Sequence, residues 1–180
     1  MWQTINKLVL ILTAAVCIAQ MVVWYGQLPD PMPSHFDAAG NVDGESSRLA
    51  FYLTIGLVNA MLLILFPLMS KMMKSLPDSL INLPNKEYWL AASRRENTLA
   101  RISGHLTTFG WATCWFMMVT FHLTSQVAIQ TRTSIQPEFA IALVAFLIFT
   151  FGWIGIMTWC FRIPSSDINR SDSAFRNSGT

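Results

Sequence analysis

Four side chains with chemical potential crowd one short stretch, "LPDPMPSHFDAAGNVDGE" at residues 28–45: His35, Asp37, Asp43 and Glu45. Their types suggest a cation site or an acid–base pair first. A calcium loop of the helix–loop–helix kind needs an acidic residue at its first position and Glu at its twelfth. Setting Gly44 as the loop glycine places Ala39 and Ala50 there, so both anchoring ligands are missing. Zinc favours several His or Cys ligands, and the stretch has one His. A His35–Asp37 pair would orient a proton acceptor, but no nucleophile or second acid accompanies it. No HExxH, GxSxG or phosphate-loop pattern occurs in the chain. The expectation is therefore no metal, no cofactor and no enzymatic chemistry.

The surrounding chain explains why this stretch stands out. Of the 180 residues 53% are hydrophobic and 12% charged, against about 25% charged in ordinary soluble domains. The net charge of +2 and the lack of a basic aromatic patch exclude a nucleic-acid partner. Four runs contain no Asp, Glu, Lys or Arg: Leu8–Leu28, Leu49–Ser70, Ile102–Thr131 and Phe139–Phe161. About 20 apolar residues cross the hydrocarbon as a helix. None of the runs alternates as a barrel strand would. The expected fold is an all-α integral membrane protein with four spans, near residues 8–25, 49–70, 105–125 and 139–161. The first run is too long for a cleaved signal peptide. Cys17, Cys114 and Cys160 each lie in an apolar run and form no CxxC pair.

Lysine and arginine set the orientation. With the N-terminus inside, inner segments carry ten of the twelve, and the outer loops carry only Arg48 and Arg132. Both termini are expected in the cytoplasm, with residues 28–48 and 125–138 outside. The organisation reads as a module over 1–70, an inner loop over 71–103, helices three and four over 104–161, and a polar tail over 162–180.

Few polar side chains interrupt the spans. Gln20, Asn59, His105 and His122 are candidates for function within the membrane. His105 and His122 are 17 residues apart, about 4.7 turns, so they face different directions. Ala15/Ala19 and Gly56/Ala60 permit close helix approach, within one bundle or across a homodimer seam. In the inner loop, Ser93 and Glu96 match a capping box. Asn85, Tyr88, Trp89, Arg94, Arg95 and Arg101 form an amphipathic, basic surface for anionic lipid or a cytoplasmic protein.

In the outer loop, Pro29, Pro31 and Pro33 stiffen the exit from the first helix. "SHFD" reads as extended, and "AAGN" and "VDGE" both read as turns, with Gly40 and Gly44 free to take positive φ. A small hairpin over the outer surface follows, with Phe36 as its apolar contact.

Through Leu28, Pro29, Pro33, His35, Phe36, Gly40, Asp43 and Gly44 the loop resembles the LPxxxPxHFxxxGxxDG hallmark of a bacterial membrane family, domain of unknown function 1648. The segment around Pro84, Asn85, Tyr88, Trp89, Leu90, Arg94 and Arg95 is similar to a second motif in a four-helix branch of that family, departing at Ala92 where that branch has proline. The resemblance implies residence in the bacterial cell membrane. It also implies a distant likeness to the immunity protein of the sporulation-delaying toxin, a class that protects the membrane and sequesters a cytoplasmic repressor. The second half of this chain is unlike theirs. Together the readings point to a non-enzymatic binding, sensing or immunity-like module whose outer loop meets a peptide or envelope protein. The rivals are a small transporter using Gln20, Asn59 and His122, and an accessory subunit of a larger complex.

Overall fold

A computed structural model describes residues 2–165. Arg170, Arg176 and most of the 162–180 tail lie outside the described residues. The elements run α1 (Trp2–Tyr25), β1 (Met32–Phe36), β2 (Val42–Ser46), α2 (Arg48–Met72), α3 (Lys86–Trp89), α4 (Arg95–Ala128) and α5 (Glu138–Cys160). The strands pair antiparallel as an isolated two-stranded sheet. Three helical segments are long and apolar enough to cross a membrane: Thr4–Tyr25, Arg48–Ser75 and Glu138–Cys160.

Helix α4 is different. Its 34 residues rise about 51 Å, and it buries residues along its whole length, from Thr98 to Ala128. Many of these are small or polar: Gly104, His105, Thr108, Gly110, Thr124 and Ser125. Helices α1, α2 and α5 all pack on it. A helix sheathed by three others has little outer face to make apolar. The sheathing helices show the reverse pattern. Ile11, Ile18 and Val22 of α1, Leu53, Leu57 and Ile64 of α2, and Ile141, Ile148 and Phe151 of α5 are exposed. An apolar exterior around a small, partly polar interior suits lipid as the surrounding solvent.

Each sheathing helix is held to α4 by different chemistry. For α1 it is a ladder of hydrogen bonds. Asn6 Nδ2 donates to Gly104 O at 3.1 Å and Thr108 Oγ1 donates to Asn6 Oδ1 at 3.1 Å. Trp115 Nε1 donates to Thr13 Oγ1 at 3.1 Å, and Gln20 Nε2 to Met118 O at 3.1 Å. For α2 it is close approach. A Cβ on Gly110 would lie 2.6 Å from the Phe66 ring, and Ser103 Oγ donates to Ser70 O at 3.1 Å. For α5 it is aromatic stacking: Phe116 on Phe146 at 4.7 Å between centroids, and His105 edge-on to Trp153 at 5.0 Å. Gly56 faces Met21 of α1, so that small residue serves packing inside the bundle.

The structure corrects two local expectations. The Ser93 capping box does not form: α4 starts at Arg95, with Arg94 at the N-cap and no side-chain cap. "VDGE" is not a turn but the body of β2.

Gly110→Val should lower the thermal unfolding midpoint in detergent, by a destabilisation of about 1–3 kcal/mol, because it drives a side chain into Phe66. The same change at Gly152, where nothing lies within 4 Å, should leave the midpoint near wild type.

Candidate functional site

Residues 28–46 fold as a hairpin with a buried back and an exposed front. Chain reversal occurs over residues 37–41. Gly40 N–H donates to Asp37 O at 2.9 Å, closing a four-residue turn, and Gly40 takes φ +83°, the region that favours glycine. Asp37 caps this turn: its carboxylate accepts from the Asn41 backbone N–H at 2.8 Å and the Asn41 amide at 3.2 Å. The backbone hydrogen bond from Asn41, then its side-chain one, holds the Asp37 carboxyl below its ordinary range.

The back of the hairpin is seated on the helices. Leu28 and Met32, 2% and 0% exposed, pack with Phe51, Tyr52, Phe121 and Ala128. Phe36 packs on Leu123, Val127 and Ile135. The turn is clasped by the loop between α4 and α5. Ser134 Oγ donates to Gly40 O at 3.0 Å, and Ile135 N–H donates to the same oxygen at 3.2 Å. A Cβ on Gly40 would lie 2.5 Å from Gln136 and 2.6 Å from Ser134. Glycine is required there twice over, by φ and by space.

The root is fixed as well. Ser47 Oγ caps α2 by accepting from Ala50 N–H at 3.2 Å. Arg48 donates from its side chain to Leu28 O at 3.0 Å, and its backbone N–H donates to Asp30 Oδ1 at 3.1 Å. Arg132 and Glu138 form an ion pair within the clasping loop and the start of α5.

On the front, His35 lies opposite Gly44, and a Cβ on Gly44 would lie 2.9 Å from that of His35. The missing side chain lets His35 lie across β2 and reach Asp43, with Nδ1 at 2.5 Å from Oδ1. This pair is open to solvent, with side-chain exposures of 74% and 44%. Asp37 and Glu45 are exposed beside it. Among the described residues no group of three or more His, Cys, Asp and Glu is arranged to hold a metal.

The candidates of the 71–103 segment turn toward the protein's own chain. Asn85, at φ +54°, and Trp89 both donate to Phe161 O, at 3.0 and 2.7 Å. Arg94 lies over the Tyr88 ring at 3.8 Å and donates to Tyr88 O. Arg95 pairs with Asp78 at 2.9 Å, and Arg101 stands over Trp89 and Phe161. Beneath them Ile81, Leu83, Leu90, Leu99 and Ile102 enclose Phe161, which is 0% exposed.

Of the polar candidates within the helices, Gln20 borders one small void with Asn59 and one groove with His122, and His105 lines neither. Gln20 reaches Met118 O on α4, and Asn59 accepts from Cys17 Sγ at 3.8 Å and donates to Ile55 O. His122 sits edge-on to Trp24 at 5.5 Å, and His105 lies beside Trp153.

Sequence reasoning missed Ser134, Gln136 and Phe161. Their contacts join positions 72 to 96 residues apart, and no local pattern announces them.

This arrangement defines a class, a helical membrane protein carrying a seated polar hairpin. Residues 10–60 are similar to the family described as domain of unknown function (DUF1648). The matched segment takes in most of α1, the whole hairpin and the first half of α2. No curated protein and no solved structure matches the chain.

Gly40→Val should release the turn and raise amide hydrogen exchange across residues 32–46 while leaving α4 protected. Acid should act at the same place. A carboxyl held below its ordinary value of 3.8 supports the turn above that pH and loses its effect as pH falls through the lowered value. Hairpin protection factors should therefore stay constant down to the ordinary carboxylate range and drop only below it.

Proposed function

We propose that this is a four-span protein of the bacterial cell membrane with both termini cytoplasmic. Its outer hairpin is a recognition surface for an extracytoplasmic peptide or envelope protein. Two observations support the topology. Helix α4 is longer than the roughly 30 Å hydrocarbon core. Ten of twelve Lys and Arg fall on the segments assigned inside.

One observation carries the functional reading. The hairpin is braced on its back by two apolar clusters and at its turn by Gly40, yet it leaves His35 and Asp43 paired in solvent. Packing needs neither side chain, since an exposed ion pair adds about 0–1 kcal/mol to stability. A pre-organised imidazole–carboxylate pair offers donors and acceptors to a partner at little entropic cost. An immunity-like role against a peptide toxin is one form of this reading, drawn from the resemblance at residues 28–45.

Transport is less well supported. Gln20 and Asn59 border a void of about 10 Å³, about the volume needed for one water, and each already has a protein partner. The inner loop, committed to Phe161, acts first as an internal brace. A cytoplasmic protein would meet its outer rim.

A photo-crosslinking residue at exposed Val42 should capture a discrete partner in living cells. His35→Ala or Asp43→Asn should cut that adduct about tenfold with unchanged protein in the membrane. An undiminished adduct in both variants sinks the recognition role of the pair.

A further inference from the structure

A cavity of about 380 Å³ opens among α1, α2 and α4 at the end of the bundle away from the hairpin. Lys7, Lys71 and Lys74 line it, and no acidic residue does. Among the described residues none of these three lysines is in an ion pair; the pairs join His35 to Asp43, Arg95 to Asp78 and Arg132 to Glu138. Three positive charges with no counter-ion around one cavity call for an anion.

The remaining wall narrows the kind of anion. Leu10 and Pro67 line it too, and exposed Leu8, Ile11 and Leu68 continue the apolar surface of α1 and α2 beside it. The hydroxyls in the wall are already engaged: Ser70 Oγ and Thr107 Oγ1 lie 3.3 Å apart, and both Ser70 and Thr107 donate to Ser103 O. Recognition therefore falls to the ammonium groups as point charges, which suits a phosphate in no single fixed geometry. A charged rim above an apolar wall matches a molecule with a phosphate at one end and hydrocarbon at the other. Basic pockets between membrane helices on the cytoplasmic side are suited to such headgroups.

We propose that this cavity binds the phosphate of an anionic phospholipid, held by Lys7, Lys71 and Lys74, with its acyl chains along α1 and α2. A bound lipid would fill the gap between α1 and α2 at the inner leaflet, where the two helices otherwise share few contacts with each other and meet chiefly through α4.

Native mass spectrometry of the full chain released from nanodiscs tests this. In discs of mixed phosphatidylglycerol and phosphatidylcholine, the wild type should retain phosphatidylglycerol selectively. Lys7→Gln with Lys71→Gln should weaken retention about 30-fold, from roughly a tenfold or smaller loss per lysine near the headgroup layer. Lys7→Arg with Lys71→Arg should restore it. Lys86→Gln with Arg162→Gln removes the same charge elsewhere and should retain lipid as the wild type does. Equal loss in that control, or equal retention of phosphatidylcholine, overturns the site. Displacement of the lipid by millimolar inorganic phosphate, with thermal stabilisation by phosphate alone, would assign the cavity to a free anion and overturn the lipid.

Discussion

Helix α4 is the axis on which everything else is mounted. In hydrocarbon, helices gain nothing by hiding apolar surface from one another, so association needs hydrogen bonds, close approach or specific ring contacts. Helix α4 supplies all three: hydrogen-bond donors and acceptors to α1, close approach at Gly110 together with a Ser103–Ser70 hydrogen bond to α2, and Phe109 and Phe116 to α5. Its two ends also serve as platforms. Phe121, Leu123, Val127 and Ala128 seat the hairpin at one end, and Leu99 and Ile102 seat the inner loop at the other.

That arrangement gives the residues of the 28–44 stretch distinct physical roles. Leu28 anchors the hairpin root, Phe36 its middle, and Gly40 its turn against Ser134 and Gln136. Gly44 makes room for His35, and His35 reaches Asp43. Leu28, Phe36, Gly40 and Gly44 build the hairpin, while the imidazole–carboxylate pair stays exposed on its front. The 84–101 segment is likewise committed to the protein's own chain. Asn85 and Trp89 converge on one carbonyl, that of Phe161, and Arg94 and Arg101 lie over aromatic rings. The segment that read as a lipid- or partner-facing surface holds the end of α5 in place.

Much of this was legible in the chain because it follows from local rules. Charge-free runs of sufficient length fall mostly within α1, α2 and α5, with α1 beginning six residues before its expected start, and turn chemistry located the hairpin and the positive φ at Gly40. Other features depend on partners far along the chain. Gly44 read as a turn residue because glycine permits positive φ, whereas here it serves as clearance for His35 across the strand pair. Ser93 read as a helix cap by spacing alone, but the chain enters α4 one residue later, through Arg94 and Arg95 drawn to Tyr88 and Asp78. Helix α4 is less apolar than α1, α2 and α5 because a helix sheathed by three others has less outer face to make apolar.

The sidedness of α4 tests this account most directly. In a background with Cys17, Cys114 and Cys160 replaced by alanine, Asn97→Cys and Gln130→Cys place one thiol near each end of the helix at exposed positions. The account predicts that a membrane-impermeant maleimide labels position 130 in intact cells and position 97 only after permeabilisation. Labelling of both positions from the same side would contradict it, because α4 would then not cross the membrane and the hairpin and inner loop would share one face.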